Sequence, residues 1–208
     1  MMRIFRFIQK IIRWAYQKSR IYFYKIISSA IVKGRPNLHQ PVQMVGSGII
    51  EFLGDVHIGV FPSPFFFSSY TYLEVRNSTS KIIIGNGTWI NNGFVAVAEH
   101  SSIRIGERVL IGTNVEIIDS DFHGIEISDR GISKFDWAKP VIVEDDVFLG
   151  SNVRICKGVT IGAGSIVANG SIVVKDLPGR VIAAGNPAKV IGRVDDWQPH
   201  IHKKVSDI

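Results

Sequence analysis

Aliphatic residues recur every six positions through most of this chain, and that period constrains the fold more than any other feature. Ile105, Ile111 and Ile117 form one run; Val143, Leu149, Ile155, Ile161, Val167 and Val173 form a second. The next position is often small, as at Gly106, Gly112, Gly150, Cys156, Gly162 and Ala168. Four residues after each aliphatic stands another small or aliphatic side chain, such as Val109, Val115, Val147, Val153, Ser165 or Leu177. Ile84-Gly85 and Ile90-Asn91 open the same pattern before a slip of three to Glu99. A period of six fits neither a helix of 3.6 residues per turn nor a long alternating strand. It suits short strands joined by tight turns, one aliphatic pointing inward from each, in coils stacked about 4.8 Å apart. The period therefore predicts an all-β solenoid over residues 36–194; a sandwich of short strands would need longer connections and less regular spacing.

The period breaks once. Ile117 and Val143 are 26 residues apart, two more than four repeats, and residues 119–140 do not fit the template. They read Asp119-Ser120-Asp121-Phe122-His123-Gly124, then a polar stretch to Lys139-Pro140. A loop thrown out from a rigid scaffold is where functional side chains concentrate. Histidine, with an ordinary pKa of about 6.5, suits a general base. Asp119 or Asp121 is placed either to orient the imidazole and bind an acceptor, or to cap the turn. Residues 60–72, with Pro62, Pro64 and Phe65-Phe66-Phe67, form either an apolar lip of the acceptor site or a core insertion.

Charge separates the N-terminus from the rest. Nine Lys and Arg fall between Arg3 and Arg35, and no acidic residue precedes Glu51. The whole chain carries +6, so residues 36–208 are net −3, which does not indicate a nucleic-acid surface on the main domain. Arg3, Arg6, Lys10, Arg13, Gln17 and Arg20 recur at helical spacing, opposite Ile4, Ile8, Ile11, Ile12, Ala15 and Tyr22. Charges interrupt every apolar run, which excludes a secretory leader and an ordinary membrane span. Two readings remain for a basic amphipathic segment over residues 1–35. It lies on an anionic membrane through residues 1–33, or it packs its apolar face on the domain or a neighbouring subunit. Residues 195–208 read as a polar tail in which His200 and His202 are inert. The single cysteine, Cys156, occupies a small-residue slot, which assigns it to packing and excludes a disulfide framework.

The stretches IIIGNGTWINN, IRIGERVLIGTNVEIIDSDFH, KPVIVEDDVFLGSNVRICKGVTIGAGSIVANGSIVVKDLP and VIAAGNPAKVIGRV resemble the hexapeptide-repeat acyltransferases. The likeness is to the O-acetyltransferase branch, with maltose, galactoside and polysaccharide-biosynthesis enzymes. It covers about residues 80–194 and, more loosely, 42–79. It implies a left-handed parallel β-helix, a homotrimer, acetyl-CoA as co-substrate, and transfer of acetyl to a sugar hydroxyl in surface polysaccharide or lipopolysaccharide biosynthesis. His123 falls on the position of the catalytic histidine, and the transfer is direct. Asn91 and Asn92, the latter the better match, resemble the polar pair that contacts the acceptor sugar, or else form an Asn ladder that stabilises the turns; Asp121 is a further acceptor-side position. On the donor side, the backbone N–H near Ser151 would face the thioester oxyanion, and Ala168 and Asn169 would line the pantetheine groove. Phe148 stands where the family usually has Trp. Lys175, Lys189 and Arg193 match positions that meet coenzyme A phosphates. None of the six histidines sits in the metal-site pattern of the solenoid-type carbonic anhydrases, so no metal is expected. The resemblance implies a cytoplasmic enzyme, peripheral at the inner membrane face if the N-terminal helix binds lipid. Open alternatives are an amino-sugar N-acetyltransferase, a xenobiotic acetyltransferase, and a non-catalytic solenoid scaffold.

Overall fold

The computed structural model describes residues 2–196. Residues 197–208, including His200 and His202, lie outside the described residues. A helix, α1 (Met2–Ile26), leads into short strands that build three parallel faces of a left-handed β-helix. The first face stacks β1 (Ile31–Lys33), β4 (Ile49–Phe52), β7 (Lys81–Ile84), β10 (Ser102–Ile105), β13 (Val141–Val143) and β16 (Thr160–Ile161). The second stacks β2 (Asn37–Leu38), β5 (His57–Ile58), β8 (Trp89–Ile90), β11 (Leu110–Ile111), β14 (Phe148–Leu149) and β17 (Ile166–Val167). It ends in an antiparallel hairpin of β19 (Val181–Gly185) and β20 (Ala188–Arg193). The third stacks β3 (Val42–Gly46), β6 (Thr71–Val75), β9 (Val95–Ala98), β12 (Glu116–Ile118), β15 (Arg154–Ile155) and β18 (Ile172–Val173).

Three hexads make one coil, and the register shows it: Val143 pairs with Ile161, Leu149 with Val167 and Ile155 with Val173, each 18 residues apart. The inward aliphatics stack in ladders such as Ile84–Ile105–Val143–Ile161, all essentially inaccessible to water. The slot four residues on is also buried, by Val109, Val115, Val147 and Val153. Polar occupants of that slot are satisfied by backbone: the Thr88 hydroxyl donates to the Gly106 carbonyl at 2.9 Å, and that of Ser165 to the Pro178 carbonyl at 2.8 Å. The small residue after each aliphatic is required by the next coil. A Cβ on Gly112 would stand 2.6 Å from the Ser151 nitrogen.

Helix α1 ends at Ile26, and Ile31-Val32-Lys33 already form a strand of the solenoid, inside the segment expected to be helical to residue 35. Ser28 and Ser29 break the helix by bonding the backbone of Met44: the Ser29 N–H donates to the Met44 carbonyl and the Met44 N–H to Ser28 Oγ. The orientation of α1 corrects one of the two sequence readings. Arg13, Gln17, Arg20 and Tyr24, at spacings of three and four, face the body rather than the apolar side. Gln17 Nε2 donates to the Phe66 carbonyl at 2.7 Å and Arg20 Nη2 to the Ser69 carbonyl at 2.7 Å. The Arg13 guanidinium lies 3.9 Å above the Phe61 ring. The bend through residues 61–69 leaves carbonyls that need donors; Asn92 and Gln40 serve Pro64 and Phe65, and Gln17 and Arg20 of α1 serve Phe66 and, with Gln40, Ser69. Ile4, Phe5, Ile8, Ile11 and Ile12 therefore point to solvent within this chain.

Candidate active site

The turns between faces define three edges of the prism. The excursion loop leaves from the edge between the third and first faces, where register jumps from 18 to 38 residues (Ile105 to Val143), an insertion of 20. Its base is pinned by Asp119, fully buried, whose carboxylate accepts the Glu99 and Ser101 N–H groups at 2.7 Å each. Burial pushes its pKa up, against the opposing effect of those backbone donors. Of the two roles open to Asp119, the geometry matches turn capping.

Beyond Asp119 the chain turns sharply through Phe122, at φ 60°, and presents His123 at the surface. His123 Nδ1 lies 2.7 Å from the Arg130 carbonyl. A carbonyl only accepts, so Nδ1 carries the proton and the neutral ring keeps its lone pair on Nε2. The short 3-10 turn Ile127–Asp129 delivers that carbonyl. The loop is clamped to the body by Glu99, which accepts from the Ser133 hydroxyl at 2.8 Å and pairs with Arg76 at 3.3 Å. Arg76 in turn lies 4.6 Å above the Phe122 ring. Burial of Glu99 alone would raise its pKa, but the hydroxyls of Ser120 and Ser133 and the charge of Arg76 outweigh it and hold the carboxyl below its ordinary value. Asp121 does not touch the imidazole. It pairs with Lys157, which also donates to the Trp137 carbonyl at 2.7 Å.

Asn91, Asn92, Ser151, Ala168 and Asn169 lie together on a different edge, between the second and third faces. Phe148 stands beside them on the second face, between Leu110 and Ile166, and is 43% exposed. With Trp89, Asn91 and Gly112 it borders a depression of about 200 Å³. Two expectations change here. Asn92 is fully buried: its Nδ2 donates to the Val60 and Pro64 carbonyls at 3.0 and 2.8 Å, and its Oδ1 accepts the Val60 N–H at 3.1 Å. Asn91, partly exposed, is the member of the pair that opens onto the depression. The Ser151 N–H, expected to face an oxyanion, donates instead to Asn169 Oδ1 at 2.8 Å. The same device recurs at other turns, where Asn86 Oδ1 receives the Asp55 N–H and Asp145 Oδ1 the Glu107 N–H.

The three expected phosphate contacts do not form one cluster within the chain. Lys175 is exposed near the excursion-loop edge, whereas Lys189 and Arg193 stand on the terminal hairpin opposite Ala184 and Val181. Burial, helped by Asp121 and Glu116, raises the Cys156 thiol pKa, which suits packing rather than nucleophilic attack. Sequence reasoning missed the Arg130 carbonyl, which has no side-chain signature, and Lys157, which looks like an ordinary surface charge. It also missed the flat stack of His39, His57 and Trp89, the last two with centroids 3.9 Å apart. His57 and Trp89 precede matched inward isoleucines, so coil register was the signal that could have found them.

A parallel β-helix with turn-borne polar groups on one edge and an exposed histidine, its Nδ1 held by a backbone carbonyl, on another is the arrangement expected of a β-helical acyltransferase. Comparison with known proteins narrows this. The family model "Hexapeptide repeat of succinyl-transferase" matches residues 102–130 and 140–175. The chain is 34% identical over 148 residues to the Saccharomyces cerevisiae protein "Putative acetyltransferase YJL218W", covering 71% of this chain and 70% of that one. It is 35% identical over 125 residues to galactoside O-acetyltransferase of Escherichia coli, a stretch that spans 60% of each. Among solved structures, the polySia-specific acetyltransferase NeuO superposes with a TM-score of 0.57 at 28% identity, over 86% of this chain and 93% of that chain. The chain belongs to the hexapeptide-repeat acetyltransferases.

Proposed function

We propose that the protein transfers acetyl from acetyl-CoA to a sugar hydroxyl, directly and with His123 as general base. The observation that carries this is the Nδ1 bond to the Arg130 carbonyl, which leaves Nε2 aimed outward as the only basic ring nitrogen. Nε2 takes the hydroxyl proton as the oxygen attacks the thioester carbonyl. The tetrahedral oxyanion collapses with cleavage of the carbon–sulfur bond, and the coenzyme A thiolate leaves with the proton returned by the imidazolium. With the Ser151 N–H engaged, Asn169 is the better oxyanion donor. Its Oδ1 is fixed by that N–H, which turns Nδ2 outward. Phe148 supplies an apolar wall for pantetheine, and Lys175, Lys189 and Arg193 are the candidates for its phosphates.

The separation of His123 from the Asn91–Phe148 edge supports a homotrimer. A cyclic ring brings the excursion loop of one subunit to the donor edge of the next, so that neither chain completes the site alone. The galactoside and polySia relatives support a glycan acceptor over an amine. The outward apolar face of α1 supports peripheral attachment to the inner face of the cytoplasmic membrane, where glycan precursors are lipid-linked.

Calorimetric titration of acetyl-CoA tests the reading without knowledge of the acceptor. One saturable site per chain is expected, with stabilisation of about 2.7 kcal/mol at 100 times the dissociation constant. A folded protein that does not bind acetyl-CoA overturns it.

A further inference from the structure

A cavity of about 610 Å³ lies away from the histidine, between α1 and the second face of the solenoid. Its rim from the helix side carries Lys10, Arg13 and Lys18, and its floor is formed by His39, Val60 and Trp89. No carboxylate lines it. Lys10, Arg13 and Lys18 make no ion pair with any described residue, so three cations converge on a groove with nothing of opposite charge to meet them. Arg13 stacks on Phe61, which fixes the guanidinium plane while leaving its edge donors free. Burial, then the positive fields of His57 and Lys18, lower the pKa of His39.

The remaining walls are apolar: Trp14, Leu38, Phe61 and Phe66. An inorganic anion would use the cations and leave these walls wet; a neutral sugar would leave the cations unpaired. Val60 and Trp89 also border the smaller depression that holds Asn91 and Phe148, so the two hollows adjoin across these residues on the second face. Trp89 is 41% exposed at the junction and is held flat by its stack on His57. His57 is itself fixed by Asp55 at 3.1 Å.

We infer that this groove binds the phosphate and the adjoining hydrocarbon of a lipid-linked glycan, whose sugar lies along Trp89 toward Asn91. The cations hold the phosphate, the apolar walls take the first part of the chain, and the outward apolar face of α1 lies where the chain would continue into a bilayer. The inference rests on the glycan-acceptor reading above and specifies the acceptor's chemistry: an amphiphile with a phosphate, rather than a free sugar.

The test is calorimetry on the full chain with farnesyl monophosphate below its micellar concentration, with inorganic phosphate and farnesol as separate probes. Expected are one site per chain for farnesyl monophosphate and at least tenfold weaker binding of either half-probe. Lys10→Gln/Lys18→Gln, at two exposed positions, should weaken binding at least tenfold with an unchanged melting temperature. Equal affinity for farnesol, equal affinity for inorganic phosphate, unchanged binding by the double variant, or binding only to anionic vesicles would each overturn the proposal. Acetyl-CoA titrated into the same samples separates the two readings. If it binds and farnesyl monophosphate does not, the groove assignment fails and the acetyltransferase stands. The reverse result leaves the groove and removes the enzyme.

Discussion

Replacing Asn92 with alanine separates two meanings of an asparagine in a solenoid turn: an acceptor contact, or a post that holds a loop. The structure supports the post. The side chain makes three hydrogen bonds at 2.8–3.1 Å, all to backbone of Val60 and Pro64, and none of its surface reaches solvent. At about 1 kcal/mol net for each, truncation should cost about 3 kcal/mol. For a chain of this size, that lowers the melting temperature by about 6–12 °C. Asn92→Asp should be worse, because it keeps an acceptor for the Val60 N–H but turns a donor into a second oxygen facing two carbonyls. Thermal unfolding followed by circular dichroism at one fixed protein concentration measures both, which matters for an oligomer. Steady-state kinetics then complete the test. If Asn92→Ala melts within about 2 °C of the parent while its KM for acceptor rises tenfold, the three bonds are not what the residue is for and the reasoning fails.

Other outcomes follow from the same geometry. His123→Ala should lower kcat by about 10²–10⁴ with acetyl-CoA affinity unchanged, as read by calorimetry beside turnover. Glu99 has a depressed pKa, so its contribution to stability is present above its ordinary value of 4.5 and is lost as pH falls through the lower folded value. Melting temperature against pH between about 3 and 6 should therefore decline on the acid side for the parent and be flatter for Glu99→Gln. Cys156→Ser should leave kcat unchanged, since a thiol whose pKa is raised by burial contributes no thiolate. Phe5→Ser, Ile8→Ser and Ile12→Ser together should abolish co-sedimentation with anionic vesicles, because each apolar side chain buried in lipid contributes about 1.5–3 kcal/mol. Unchanged sedimentation would remove the membrane role of the exposed face of α1.

The solenoid was readable because its period is a packing rule: one aliphatic per strand, one small residue where the next coil presses on the turn. Ile105, Val143 and Ile161 share a ladder of buried apolar side chains along the axis. The excursion loop was readable for the same reason, as the place where the rule is suspended longest. Side-chain direction at the turns was not readable. Whether Asn92 or Asn169 faces solvent or the preceding coil depends on the stacking offset of two turns, and both proved to bond a neighbouring coil's backbone. The two faces of α1 were evident from spacing, but not which one docks. That was decided by the Phe66 carbonyl, whose side-chain donors come from Gln17 and Arg20, a demand created by another part of the chain. The histidine's tautomer was hidden altogether, since it is set by a backbone oxygen seven residues away. These gaps share a cause. A hexad records what points into the coil axis, while chemistry uses what points out, and its partners come from other coils. In this prism the outward groups fall on separate edges, and the period neither requires nor forbids an assembly that would bring them together.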